Sequence, residues 1–418
     1  MKLKFLGGAD VVGRLGMLLN NKGANLLFEY GMKPIKPPEY PTAAPPVETA
    51  FLTHCHIDHS GMIPWLCGKY GTKVYTTPST IGVCELLMND TLKVADSEGY
   101  PRPFQPKDIE VTMKHCFRPM KFGDVMDVAG FEVESHSAGH VPGAAMYELR
   151  GDNTTVFTGD LHTHNTNLTW GAHPVKCDNL IIEATYAGRL HPDRKKEEQK
   201  LIERVKETVE GGGKAIIPCF AVGRTQEVML ILKDLKYDMW VDGMGKTVNR
   251  LYLEQPEYIR SERDLRQAKR RFNEVRGAAM REKAMQGEVI VTTGGMLDGG
   301  PVIRYLQQER DNPRSAVLMT GYQVDGSNGR RLIDSGAIDV RKQGSVMEEV
   351  PESMRVACQV QQFDLSAHAD HNELLAFIRA CNPENVVLMH SDNRPALAKD
   401  LENDFKVYMP MTDEEFEL

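Results

Sequence analysis

The sequence predicts an α/β protein in which one α/β domain is inserted between two parts of another. Three observations point there. Up to Tyr186 the chain is mostly short apolar runs separated by Gly and Asn turns, the pattern of strands. After Tyr186 strand and helix patterns alternate, the rhythm of βαβ units and a mostly parallel sheet. β character then returns near Arg355–Phe363, and helix, strand and helix close the chain. A length of 418 residues suits two or three domains at roughly 100–200 residues each.

Taken in order, Leu3–Leu6, Leu15–Leu19 and Asn25–Phe28 read as strands, and Val47–Leu52 as a buried strand ending at a histidine cluster. Phe131–Ser137, Ala145–Leu149, Thr154–Thr158 and Asn179–Ile182 read as four more, the last ending in Glu183. The charged run from His191 opens a helix to about Glu210. Strands at Lys214–Ile217, Met239–Val241, Glu288–Thr293 and Ala316–Met319 alternate with helices at Arg224–Leu235, a helical region to about Met285, and Val302–Glu309. A helix over Asn372–Arg379, a strand at Val386–Met389 and a helix near Pro395–Asn403 follow. Lys406–Met411 could pair as an edge strand, and Thr412–Leu418 reads as an acidic tail.

Composition excludes several classes. Lys and Arg number 50 against 58 Asp and Glu, a net charge of −8, so a protein that coats itself with nucleic acid is excluded and any such contact is local or metal-mediated. With 41% hydrophobic residues the chain can bury a core. No apolar run reaches the ~18 residues needed to span a bilayer. Glycines at 7 and 8 break the start too early for a signal peptide, which leads to the expectation of a cytoplasmic protein. Eight scattered cysteines contain no C-x-x-C pair, which argues against a zinc knuckle and suits a reducing compartment.

The strongest chemical signal is Thr53-His54-Cys55-His56-Ile57-Asp58-His59-Ser60-Gly61. Two imidazoles at i and i+2 share one side of an extended segment, and Asp58 and His59 follow where the chain turns toward a helix. Four ligands in six residues can serve two adjacent metal ions, and imidazole with carboxylate favours zinc, with manganese or iron as alternatives. Two ions need more ligands. His140, Asp160 and His390 each end or follow a predicted strand, where a sheet presents side chains along one edge.

These residues resemble the dinuclear zinc ligands of the metallo-β-lactamase fold. Glu183-Ala184-Thr185-Tyr186, the segment Phe363–Asp370 and Leu388-Met389-His390 resemble the extra motifs of the β-CASP nucleases. So do the segments from Pro218 to Glu227, Gly295 to Pro301 and Thr320 to Gln323. The resemblance covers essentially the whole chain and is nearest to the archaeal cleavage and polyadenylation specificity factor nucleases, with ribonuclease J close by. It implies an αββα sandwich over residues 1–186 and 364–418, two facing sheets with helices outside, and a parallel α/β β-CASP domain inserted over 187–363.

The resemblance further implies that His54, His56 and His140 hold one Zn2+, that Asp58, His59 and His390 hold the other, and that Asp160 bridges them. Asp58, Glu183 and His368 would be the catalytic groups. His368 would be the acid for the leaving 3′ oxygen or a phosphate contact, and Glu183 would orient it or keep it protonated. The products would carry a 5′-phosphate and a 3′-hydroxyl. Glu29 stands where the family usually has Asp, so the support it gives the ligands is expected to differ. The early turn ends in Arg14, and Ser391-Asp392 replaces a usual Gly-Glu. The KH extension of one archaeal subgroup is expected to be absent.

Glycine-bearing loops between strand and helix let backbone N–H groups approach an anion. Arg224, Gly295, Met296, Gly299, Gly300, Tyr322 and Gln323 are therefore the expected contacts to RNA phosphates, and the resemblance of the segment Phe363–Asp370 adds Ser366. The basic stretch Arg260–Arg281 reads first as a solvated helix face and second as a basic rim for RNA. The expected function is a zinc-dependent ribonuclease on single-stranded RNA, endonuclease or 5′→3′ exonuclease, in 3′-end processing or turnover. A homodimer through the C-terminal region is also expected. The alternatives are a DNA-processing nuclease, which His390 argues against, a non-catalytic scaffold subunit, which the full ligand set argues against, and a small-molecule hydrolase.

Overall fold

A computed structural model describes residues 1–340 and 352–418, which divide into two units. The first comprises Met1–Asn165, Thr169–Leu190 and Ala367–Leu418, and the second Thr166–Leu168 and His191–Ser366.

The first unit holds two seven-stranded sheets. One contains Lys2–Gly7 (β1), Gly16–Asn21 (β2), Ala24–Phe28 (β3), Thr49–Phe51 (β4), Lys73–Thr76 (β5) and Phe117–Pro119 (β6), with Glu415–Glu417 (β22) beside β1. The other contains Val125–Val128 (β7), Phe131–Ser137 (β8), Ala145–Arg150 (β9), Thr154–Phe157 (β10) and Asn179–Glu183 (β11), then Asn385–Met389 (β20) and Lys406–Tyr408 (β21). Its order is β21-β20-β11-β10-β9-β8-β7. Alternation along β8 sends Phe131 and Val133 inward, while Glu132 faces solvent. Those side chains meet Leu3, Phe5, Leu26 and Phe28 of the first sheet in one core. Phe28 stacks on Phe51 at 5.4 Å and tilts against Phe157 at 4.9 Å. Each such ring, fully buried, contributes about 1.5–3 kcal/mol.

Strands β10, β11 and β20 are parallel, so their C-terminal ends lie along one edge. The helix His371–Cys381 starts at a capping box between Asp370 and Glu373 and stops at Asn382 in the left-handed region. This places the loop 367–370 at that same edge, through Ala369 N–H donating to the Leu161 carbonyl.

The second unit is built on a parallel sheet of Ala215–Cys219 (β12), Met239–Asp242 (β13), Asn273–Glu274 (β14), Val289–Thr293 (β15), Ala316–Met319 (β16) and Gln359–Gln362 (β19), in the order β14-β13-β15-β12-β16-β19. Strands β12, β13, β15 and β16 are buried at every residue, as a sheet covered on both faces requires. Ala337–Val340 (β17) and Glu352–Arg355 (β18) form a separate antiparallel pair.

Four expectations change, the first being that the helix near Pro395–Asn403 is the short helix Arg394–Ala398. The region before Met285 is three helices, Gly245–Glu254, Glu262–Arg271 and Ala278–Ala284, with β14 between the last two. The helix from Arg224 ends at Leu232 rather than at 235. The acidic tail is a strand: β22 pairs antiparallel with Lys2–Lys4, and Phe416 stacks on Tyr408 at 5.9 Å. Lys2 faces Glu415 and Glu417, so the acidic charge has a cationic partner across the pair. Lys406–Tyr408 does pair as an edge strand, parallel to β20.

Candidate metal centre

Within the first unit every predicted ligand reaches the same edge, each from the C-terminal end of a strand. His54 and His56 follow β4, and the short helix Ile57–Ser60 turns Asp58 and His59 toward them. His140 lies in the turn between β8 and β9, Asp160 follows β10, and His390 follows β20 with a φ of 57°. Two glycines make the close approach possible. A Cβ on Gly31 would collide with the Asp58 carbonyl, and one on Gly159, itself at φ 57°, would collide with Thr53.

His54, His56, His140 and Asp160 bring their ligand atoms within 4.8 Å of one another, as do Asp58, His59 and His390. In the first group His54 Nε2 and His140 Nε2 lie 3.0 and 3.1 Å from His56 Nδ1. A tetrahedral zinc with Zn–N bonds of about 2.0–2.1 Å separates its donors by about 3.3 Å, close to these two distances. His140 Nδ1 is 2.7 Å from the Ala367 carbonyl and must donate to it, which leaves Nε2 as a lone-pair donor when the ring is neutral. Burial holds His54, His56 and His140 below the usual imidazole value, the deprotonated state that a ligand needs.

In the second group the orphaned atoms are informative. His59 Nε2, His390 Nδ1 and Asp160 Oδ1 are buried with no hydrogen-bond partner among the described residues. His390 Nδ1 lies 3.1 Å from Asp160 Oδ1, and His59 Nε2 lies 3.3 Å from Asp160 Oδ2. Unsatisfied buried polar atoms are costly, and a cation among them would remove the cost. Burial disfavours a charged His59, but Asp160 and Asp58 outweigh it and hold the imidazole well above its usual value. Burial likewise opposes ionised Asp160, and His59, His368 and His390 reverse this to hold the carboxyl well below its usual range. Both shifts describe a site whose negative charge calls for a cation. Asp160 touches both groups, with Oδ2 also 3.6 Å from His54 Nε2 and 3.7 Å from His140 Nε2.

The other predicted residues of this unit join the site. Glu29, fully buried and at φ 60°, accepts the Thr53 N–H at 2.7 Å with Oε1 and faces His59 Nδ1 at 3.1 Å with Oε2. Glu183 Oε1 accepts the Leu161 N–H at 2.7 Å and lies 2.9 Å from His368 Nδ1. His368 Nε2 is then 3.9 Å from Asp160 Oδ2. Burial lowers the His368 value, but Glu183 and Asp160 together push it up to about 9. Sequence reading missed two backbone contacts, the Ala367 carbonyl and the Gly13 N–H, which donates to His390 Nε2 at 3.0 Å and leaves the proton of the neutral ring on Nδ1, so that metal binding through Nδ1 would require this contact to break. Both are backbone groups and leave no residue-type signal.

The predicted phosphate contacts lie in the second unit. Loops after β12, β15 and β16 leave the same edge of the parallel sheet, the usual ligand edge of such sheets. Gln323 Nε2 donates to the carbonyls of Gly295 and Gly321 at 3.0 and 3.1 Å, and Gly329 N–H donates to the Met296 carbonyl at 2.7 Å. Gly299 has open space where a Cβ would stand, and Gly300 has φ 85°. Arg224 is tied back to the Thr320 carbonyl. Ser366 takes other partners: its carbonyl accepts from Arg194 at 3.0 Å and its N–H donates to Asp364. Tyr322 is exposed, as is Phe220, a ring beside Gly295 and Gly321 that the sequence reading left unassigned.

Comparison with known proteins agrees with this geometry. Residues 10–218 match the metallo-beta-lactamase superfamily, 225–332 the Beta-Casp domain, and 353–410 a Zn-dependent metallo-hydrolase RNA specificity domain. The chain is 36% identical over 409 residues to the Probable RNase MJ4 of Methanocaldococcus jannaschii, covering 94% of this chain and 93% of that one. It is 30% identical to the RNase aCSPSF2 of Saccharolobus solfataricus, covering 95% and 80%. It is also 30% identical to the Transcription termination factor FttA of Methanothermobacter thermautotrophicus, covering 95% and 68%. A crystal structure of an Enterococcus faecalis protein of unknown function shares the fold, with a TM-score of 0.64 at 16% identity over 100% of this chain and 99% of that one.

Proposed function

The chain belongs to the metallo-β-lactamase superfamily and carries its β-CASP and RNA-specificity domains, and from that premise we propose a zinc-dependent ribonuclease acting on single-stranded RNA. The observation that carries the reading is the convergence of His54, His56, His140 and Asp160 beside Asp58, His59 and His390. The first three would hold one zinc ion, Asp58, His59 and His390 a second, and Asp160 would be shared. Bound zinc in such a set lowers the pKa of water toward neutrality and offsets negative charge on phosphoryl oxygens.

The chain's own residues do the rest. Glu183 fixes His368 through Nδ1, so the proton at Nε2 faces the Asp160 side of the site. Glu183 beside Nδ1 favours the protonated ring, and His368 could then give the Nε2 proton to the leaving 3′ oxygen. The products are a 5′-phosphate and a 3′-hydroxyl. Gly295, Met296, Gly299 and Gly300 would present backbone donors to the RNA phosphates, Gln323 would hold their loop in shape through its bonds to the Gly295 and Gly321 carbonyls, and Arg224 and Ser366 would be further contacts. Tyr322 and Phe220 would stack bases.

The domain division at 186/187 and 363/364 is supported by compact units that break at 190/191 and 366/367. A homodimer is proposed through the open edge of β21, and light scattering at micromolar concentration tests it. Among the described residues no helix is long and apolar enough to cross a membrane. RNA turnover or 3′-end formation would take place in the cytoplasm.

The test is zinc-loaded protein incubated with a 5′-monophosphate, 5′-labelled single-stranded RNA, resolved at single nucleotides. Long labelled fragments mean endonucleolysis, and labelled mononucleotide from the first time point means 5′→3′ exonucleolysis. An intact strand would sink the proposal.

A further inference from the structure

The second unit contains a cavity of about 430 Å³ at the β14 edge of its sheet, formed by Glu262–Arg271, the strand β14 and the residues that follow it. The size falls in the range of ligand sites, about 300–1,000 Å³. Its rim carries Arg266, Lys269, Arg270 and Arg276. Arg266, Lys269 and Arg270 are three and four residues apart on one helix and so share a face. One acidic residue, Glu274, lines the cavity, 3.3 Å from Lys269 and 3.0 Å from Arg276. Arg266 pairs with Glu262 at 2.6 Å, so two carboxylates face four cations and the rim keeps a positive excess carried by Arg270 and Arg276.

The surroundings sharpen the contrast. Residues 260–283 hold nine basic and four acidic side chains in a chain of net charge −8. Several of those cations serve the fold: Arg271 donates to the carbonyls of Leu235 and Tyr237, and Arg281 pairs with Asp242. The rim differs. Arg270 is exposed and has no ion pair or hydrogen bond among the described residues. Arg276 is 72% exposed despite its contact with Glu274, so its guanidinium remains open to an anion. Beneath the rim lie Leu253, Phe272 and Met280, an apolar floor.

A cationic rim over an apolar floor fits an anion that also carries a flat apolar group. A sulfate-sized ion would use two of the four cations and none of the floor. A nucleotide of a polyanionic strand uses both, with phosphates on the guanidinium forks and a base against the floor. We propose that this cavity is a second RNA-binding subsite for single-stranded RNA, distinct from the glycine loops after β12, β15 and β16. The inference rests on the ribonuclease reading for its ligand.

The experiment measures anisotropy of a fluorescein-labelled 30-nucleotide phosphorothioate RNA, resistant to cleavage, with the zinc-loaded full chain. Arg270→Glu/Arg276→Glu should weaken binding about ten-fold, and the slope of log K on log salt should fall by about 0.7 per lost phosphate contact. Arg270→Lys, which keeps the charge and loses the fork, should bind more weakly than wild type and more tightly than the double glutamate variant. Lys195→Glu/Lys206→Glu, two exposed lysines elsewhere on the same unit, should leave binding unchanged. Equal Kd and equal salt slope for wild type and the 270/276 variant would overturn the inference, as would an equal loss in the 195/206 variant. Competition by free nucleoside diphosphate with RNA affinity unmoved by the 270/276 substitutions would also overturn it, in favour of a small-nucleotide site. Cleavage of ordinary RNA is followed in parallel. Its absence in the wild type would count against the nuclease reading alone, because the binding comparison decides the subsite.

Discussion

Glu29 Oε2 lies 3.1 Å from His59 Nδ1, with both side chains wholly removed from solvent. The other oxygen of this carboxylate takes the Thr53 N–H at 2.7 Å, so the length of the Glu29 side chain spans both contacts. Thr53 precedes His54, so one carboxylate contacts both groups of candidate ligands. Supporting carboxylates of this kind set ring orientation and ligand basicity.

Glu29→Asp, one methylene shorter, should therefore lose one of the two contacts. Zinc affinity, measured by chelator competition, should drop about 10–100-fold, with RNA cleavage falling alongside. Unchanged affinity would mean that the carboxylate does not steady the ligands.

Asp160→Asn removes the carboxylate that touches both ligand groups. Bound zinc should drop on elemental analysis, and the cleavage rate should fall at least about 100-fold, the loss expected when charge stabilisation is removed. A variant that keeps its zinc and its rate would exclude Asp160 as the shared ligand.

His368→Gln should lower kcat by about 10²–10⁴-fold while KM changes little, the signature of a lost general acid. Glu183→Gln should show a smaller effect, since the amide can still hold the ring. The decisive comparison is an RNA substrate with a 3′-bridging sulfur at the cleaved bond, whose thiolate leaves without a proton. If His368→Gln is equally impaired on it, the acid role is wrong.

Asp242 supplies a pH test away from the site. Burial would raise its carboxyl, but hydrogen bonds from Arg281 at 2.6 Å and Tyr305 at 3.0 Å outweigh it and hold the group below its usual value. A depressed carboxyl stabilises the fold at pH above the unfolded value of about 3.9 and loses that contribution as pH falls through the folded value. Asp242→Asn should cost about 2 kcal/mol near pH 7, below the ~3–5 kcal/mol of a fully buried pair because Arg281 is 24% exposed. The difference from wild type should shrink in denaturant melts toward pH 3. Parallel stability curves for the two proteins would contradict this.

Much of the site was legible because its signals are local. His54, His56, Asp58 and His59 lie within six residues, and strand periodicity and the turn after β4 suffice to group them. The runs at 131–137, 302–309 and 316–319 end in the structure where their apolar patterns end. Short strands such as Lys73–Thr76, Phe117–Pro119 and Val125–Val128 were not legible. They run three or four residues, too short for a periodicity of their own, and exist because a neighbouring strand pairs with them.

The sequence by itself determined which residue types stand at strand ends, and with them the chemistry available to the chain. Tertiary structure alone decided that positions from 29 to 390 meet along one edge, because parallel pairing of β10, β11 and β20 aligns strand ends that are distant in the chain. It also decided that the Ala367 carbonyl and the Gly13 N–H orient two of the imidazoles, and that the acidic C-terminus completes a sheet beside Lys2 and Lys4. The physical reason is the same in each case. A backbone donor or acceptor looks alike at every residue, so which partner satisfies it depends on what folding brings near.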